Sequence, residues 1–154
     1  MVDHQFSHIF VKSPSDEVIE KVKTAFKSVE GVDQILCGDD RSKLGMNHKR
    51  SGDVILISTL NSWQAYYWWL DDALAPDFAS TVDIHRKPGY DPIELHFDFA
   101  NKKVPLDASL AKGSHGAPAK SDNQKGLFLS STNLQLNDEI ADTDIFDLVL
   151  RQFQ

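Results

Sequence analysis

A single cysteine, Cys37, among 154 residues excludes an internal disulfide and any structural zinc site built on a cysteine pair. It lies in an apolar run, which predicts a small buried side chain, and this sparing cysteine usage fits a reducing compartment. No stretch approaches the roughly 20 apolar residues that a membrane-spanning helix needs. The start, Met1-Val2-Asp3-His4-Gln5, has neither the basic nor the apolar region of a secretory signal. A cytoplasmic location is the expectation. Positive charge is also short, because 16 Lys and Arg stand against 23 Asp and Glu, a formal net charge of -7. Such a chain offers no general platform for nucleic acid or for an anionic membrane, both of which are gripped through a cationic surplus.

Short catalytic motifs are missing as well. There is no His-Glu-x-x-His pair, no phosphate-cradling Gly-rich loop ending in Lys-Ser/Thr, and no Gly-x-Ser-x-Gly nucleophile elbow. Each absence removes one reaction class that a short motif would have supported.

Apolar residues make up 41% of the chain and include nine Phe and three Trp, enough for a hydrophobic core in a single domain over residues 1–154. Phe6, Ile9, Phe10 and Val11 read as a strand. Ser13-Pro14 then starts a helix, with Ser13 as cap and Pro14 at the first helical position. Val18, Ile19, Val22, Ala25, Phe26 and Val29 recur at helical spacing, and Gly31 stops the helix. Val32 to Cys37 reads as a second strand and Asp53 to Ser58 as a third, well buried because its apolar run is continuous. The result is a small strand-helix-strand-strand α/β layer. Further on, Ile93, Leu95 and Phe97 alternate as a half-buried strand, Gly126 to Ser131 reads as a strand, and Asp144 to Phe153 as an amphipathic helix. In that helix Ile145, Leu148, Val149 and Phe153 face inward.

The chemistry-bearing residues are histidines and aspartates. Asp3, His4 and His8 lie close in sequence, although His4 and His8 on one strand face are two pleats apart, too far for easy co-ligation. His48 reads as a solvated loop residue and His96 as a strand-surface or interface residue. His85 lies in the polar turn-rich run Asp83 to Pro92. Trp63, Tyr66, Tyr67, Trp68 and Trp69 either divide between the core and the cover of an adjacent loop or wall a ligand. Gly113-Ser114-His115-Gly116 has the strongest local case, because flanking glycines leave an imidazole open at a loop tip. His115 is either a metal ligand or a hydrogen-bonding loop histidine.

In this order the segments Asp3 to Val11, His48 to Asp53, Trp63 to Asp72, Asp83 to Leu95 and Gly113 to Gly116 resemble the later part of nucleotide pyrophosphatase or type I phosphodiesterase-like proteins of the alkaline phosphatase superfamily. The resemblance covers nearly the whole chain, and it implies the C-terminal part of an alkaline-phosphatase-like α/β sandwich with a mostly parallel sheet. It implies a metal-dependent hydrolase of phosphate esters acting on a phosphorylated small-molecule substrate. The implied cofactors are divalent metal ions, commonly zinc, flanking a Thr or Ser nucleophile, with a late His-Gly supplying one ligand. His115 matches that ligand. Neither the early metal-binding aspartate nor the nucleophile has a counterpart here. Asp3-His4 is followed by Gln5 where the family's Asp-His-Gly motif has glycine, so Asp3-His4 is not assigned to that motif. The expectation is therefore the C-terminal portion of a longer catalytic domain, inactive alone and prone to associate through an exposed sheet edge. The alternative is a non-catalytic binding or interaction module derived from such an enzyme.

Overall fold

The structure is a computed structural model that describes residues 1–65, 67, 69–77, 79–80, 96–134 and 136–153. By compactness the chain divides into two units, Met1–Pro118 and Ala119–Gln154.

The first unit is built on a four-stranded sheet. Its strands are β1 (Val2–Asp3), β2 (Phe6–Ile9), β3 (Val32–Cys37) and β4 (Val54–Ser58), in the order β1-β2-β4-β3. A helix, α1 (Asp16–Phe26), connects β2 to β3. The expected strand-helix-strand-strand layer is thus present, and its last two strands lie within a residue of where the apolar runs put them. The pairings of this sheet are all antiparallel, so the parallel sheet implied by the family resemblance is not among the described pairings.

Two details of the layer differ from expectation. The helix is capped by Ser15, whose hydroxyl accepts from the Val18 amide, rather than by Ser13. Ser15 is followed by Asp16 and Glu17, and these acidic residues in the first turn complement the positive helix end better than Pro14 at a first position would. The first strand stops at Ile9, because Val11 turns its amide away to the Asp53 carboxylate at 2.7 Å.

β4 is the spine of this unit. All five of its residues are buried, as its unbroken apolar run requires when a central strand is covered on both faces. Pleating sends Ile55 and Ile57 to one face, where they join buried Leu36 and the half-buried side chains of Phe6, Leu44, Met46 and Ala117. Half-buried Val18, Ile19, Val22 and Phe26 form the inner stripe of α1, whereas Ala25 and Val29 are exposed. Cys37, expected to be buried, is half-buried at the end of β3.

The second unit is mainly extended chain with short 3-10 turns and one helix, α2 (Ile145–Leu150), that tightens into a 3-10 turn over Arg151–Phe153. Ile145 and Leu148 are half-buried as expected, but Val149 and Phe153 are exposed. The strand expected over Gly126 to Ser131 does not form. Its apolar residues find no partner strand among the described residues, and Leu127 and Leu129 remain 83% and 81% exposed. An extended apolar run becomes a strand only when a neighbour supplies the ladder hydrogen bonds. The expected strand residues Ile93 and Leu95 lie outside the described residues, and Phe97 is exposed beside the isolated bridge Asp98–Lys103. Among the described residues no helix is long and apolar enough to cross a membrane.

Candidate functional site

The tight β1–β2 turn places His4 at its tip with a left-handed backbone, φ 51°. A left-handed non-glycine residue is uncommon, and histidine is among the types that tolerate it. The ring of His4 lies against the ring of His115, with centroids 4.1 Å apart and planes tilted by 38°. Two histidines separated by most of the first unit therefore share one patch of surface. His4 is half-buried and His115 is exposed.

The loop carrying His115 is held by its neighbours. The Gln5 amide donates to the His115 carbonyl at 3.0 Å, and the Ala117 amide donates to Gln5 Oε1 at 3.3 Å. Between them Gly116 has φ +111°, and a Cβ there would stand 2.9 Å from Phe6 Cδ1. Glycine is required at this position on both counts, since an L side chain would meet backbone strain and the Phe6 ring together. On the other side, the Gln64 amide donates to the His4 carbonyl at 2.7 Å. Gln64 also joins a part-buried polar network. Ser7 donates its hydroxyl to Gln64 Oε1, and Gln64 Nε2 donates to the Ser58 hydroxyl at 3.2 Å. Each of these polar groups has a partner, as burial demands.

Asp3 and His8 do not join the pair. Among the described residues no group of three or more His, Cys, Asp or Glu side chains is placed to hold a metal ion. The pair is right in kind for zinc, which takes imidazole nitrogen readily, but it supplies two donors where catalytic zinc sites use three protein ligands. On the sequence, Gln5 keeps Asp3-His4 out of the Asp-His-Gly motif and leaves the role of His4 open. The Asp-His dipeptide was the available signal, and the hairpin that turns His4 towards His115 could not be read from it.

His8 serves the fold instead. Its Nδ1 accepts from the Gly52 amide at 3.0 Å, which fixes the neutral ring as the Nε2–H tautomer, and it sits between the Phe6 and Phe10 rings. Burial, then the nearby N-terminal ammonium, holds its pKa below the ordinary histidine value, against the opposing carboxylate of Asp3. The unfolded chain thus binds the proton more readily, so this contribution to stability is complete above the unfolded pKa of about 6.5 and declines as pH falls towards the lower folded value. Replacing His8 with Asn, whose Oδ1 can accept from Gly52 without titrating, is expected to flatten the rise in urea midpoint between pH 5 and pH 7. An unchanged slope in His8→Asn would place the titrating group elsewhere.

The remaining candidates are placed singly. His48 is an exposed loop residue, as expected, with Nδ1 accepting from the Arg50 amide at 3.2 Å. His96 is exposed. His85 and the rest of Asp83 to Pro92 lie outside the described residues, as do Tyr66 and Trp68. Of the aromatic block, Tyr67 and Trp69 stack with centroids 4.9 Å apart, and the Trp69 indole donates to Asp72 at 3.0 Å. Burial, with the Asp72 and Asp107 charges, pushes the Tyr67 phenol above its usual pKa. No protein-family model, no curated protein and no solved structure matches this chain.

Proposed function

We propose that this chain carries part of the active site of a metal-dependent hydrolase of phosphate esters, of the nucleotide pyrophosphatase or type I phosphodiesterase kind. His4 and His115 act as donors to a divalent metal, zinc, and the substrate is a phosphorylated small molecule. The observation that supports this reading is the meeting of two histidines from distant segments, 4.1 Å apart, on a hairpin tip and a glycine-flanked loop. The chemistry a divalent ion supplies at such a site is polarisation of a phosphoryl oxygen and neutralisation of developing negative charge. The chain's own part is to present two imidazoles from rigidly held backbone. No residue of this chain is assigned as nucleophile, and among the described residues no third donor joins the pair. Association through the outer strand β3 belongs to the same proposal, because an outer strand leaves one row of backbone groups open for pairing.

Zinc titration of the 154-residue chain by calorimetry tests the reading. His4→Ala and His115→Ala are each expected to weaken zinc binding about tenfold or more, the scale of loss seen even when residues supporting a ligand are removed. The chain alone is expected not to hydrolyse an activated phosphodiester. Zinc affinity that neither substitution changes would defeat the assignment. A chain that takes up no zinc would turn the reading towards a binding module.

A further inference from the structure

We infer that Gln5 is the positioning residue of the histidine pair, the group that sets His115 against His4. This rests on the reading of His4 and His115 as metal donors, but its geometric content stands apart from it. Gln5 is buried, at 8% exposure, directly after His4 in the chain. Each of its four polar groups is engaged, and they reach three separate segments. Its amide donates to the His115 carbonyl at 3.0 Å, and its side-chain Oε1 accepts from the Ala117 amide at 3.3 Å. Its carbonyl accepts from the Ser58 amide at 2.8 Å at the end of β4, and its Nε2 donates to the Ser62 carbonyl at 3.1 Å.

The two bonds to the 115–117 loop bracket Gly116 from both sides. One residue thereby fixes the peptide that carries His115 and the peptide two residues on, while its other two bonds tie that bracket to the central strand and to the turn after it. Ala117 packs against the core of Leu36, Ile55 and Ile57, so the far end of the bracket is seated on rigid structure. A glycine at position 5 could make the two backbone bonds but neither side-chain bond. The long amide side chain thus spans a gap that the shorter motif would leave open. Without the Oε1 bond, the loop would be tied to the β1–β2 turn by one backbone bond and would lose its fixed register against His4. Imidazole donors are useful to a metal when their orientation is set in advance by such hydrogen bonds.

The test is Gln5→Met, which keeps length and burial and removes both side-chain bonds, with Gln5→Glu as partial rescue because it restores an acceptor for Ala117. Cross-relaxation between the ring protons of His4 and His115 is expected in the wild-type chain, reduced at least about threefold in Gln5→Met and recovered in part in Gln5→Glu. Zinc affinity is expected to fall about tenfold in Gln5→Met, the usual cost of removing a residue that orients a ligand. Amide protection in β2 and β4 should be retained, which separates repositioning from general loosening. Should Gln5→Met fail to fold, Gln5→Asn, too short by one methylene to reach Ala117, is expected to give the same loss. Undiminished cross-relaxation in the folded variant overturns the inference. If the wild-type chain binds no zinc, the hydrolase reading fails, and the ring contact alone then decides the role of Gln5.

Discussion

Ile55→Ala is expected to lower the stability of the first unit by about 2–5 kcal/mol, the range for truncating a fully buried isoleucine. Ile55 has no exposed surface and is central to the cluster with Leu36 and Ile57, on which Phe6 and Ala117 pack. Removing its side-chain carbons forfeits their transfer out of water and leaves a cavity that neighbouring strands, locked by their ladders, cannot close. Urea denaturation followed through the first unit should show a midpoint lower by on the order of 1 M or more, given denaturant slopes of roughly 1–3 kcal/mol/M. Because Phe6 and Ala117 flank Gly116, the His4–His115 contact should weaken with it. Leu127→Ala in the second unit serves as the contrast, since its side chain is 83% exposed and its loss should leave the midpoint unchanged. Equal effects of the two substitutions would mean that β4 is not the spine of a cooperative core.

Among the described glycines, Gly52→Ala is expected to be the most damaging single-methyl addition. A Cβ at Gly52 would stand 2.8 Å from both the amide nitrogen and the carbonyl oxygen of Ile9, and 3.0 Å from the His8 Cα. These are backbone atoms, so no rotamer change can clear the clash. Either the loop before β4 or strand β2 must move. That movement would break the Gly52 amide bond to His8 and strain the bond from Arg41 to the Gly52 carbonyl, now 3.0 Å and 2.8 Å. The expected cost is about 1–3 kcal/mol, the range for overpacking, and where the displaced loop leaves the His8 ring more open to water its pKa should rise towards the ordinary value, because burial is the main cause that lowers it. Thermal denaturation together with histidine titration by NMR measures both effects. Gly113→Ala, where an added Cβ meets nothing within 4 Å, provides the neutral comparison. A Gly52→Ala protein as stable as Gly113→Ala would show that β2 and the loop are not in close backbone contact.

The sequence was most legible where one residue pattern has one physical solution. The continuous run at Val54 to Ser58 reads as a well-buried strand, and β4 is that strand, with all five residues buried. Helical spacing from Val18 to Phe26 gave α1 its inner stripe, although the cap moved two residues to Ser15, where the acidic first turn follows directly. Legibility failed where a pattern needs a partner to become structure. Gly126 to Ser131 is as apolar as a strand but pairs with nothing among the described residues, and Val149 and Phe153 follow a helical period without a face to cover them.

The same division runs through the site. Residue type and local chain chemistry marked His115 by themselves: glycines on both sides of a histidine, one of them at φ +111°, make a loop whose imidazole stays open. They also predicted correctly that His48 would be a solvated loop residue. What the sequence determined, then, was the strand-helix-strand-strand layer and the openness of the 113–116 loop, because both follow from short-range periodicity and backbone freedom. The tertiary structure alone decided that His4 meets His115, that His8 serves the fold, and that Gln5 ties the two histidine segments together. Those outcomes depend on which segments a hairpin and an antiparallel ladder bring within hydrogen-bond reach, and across more than 100 positions no local rule encodes that choice.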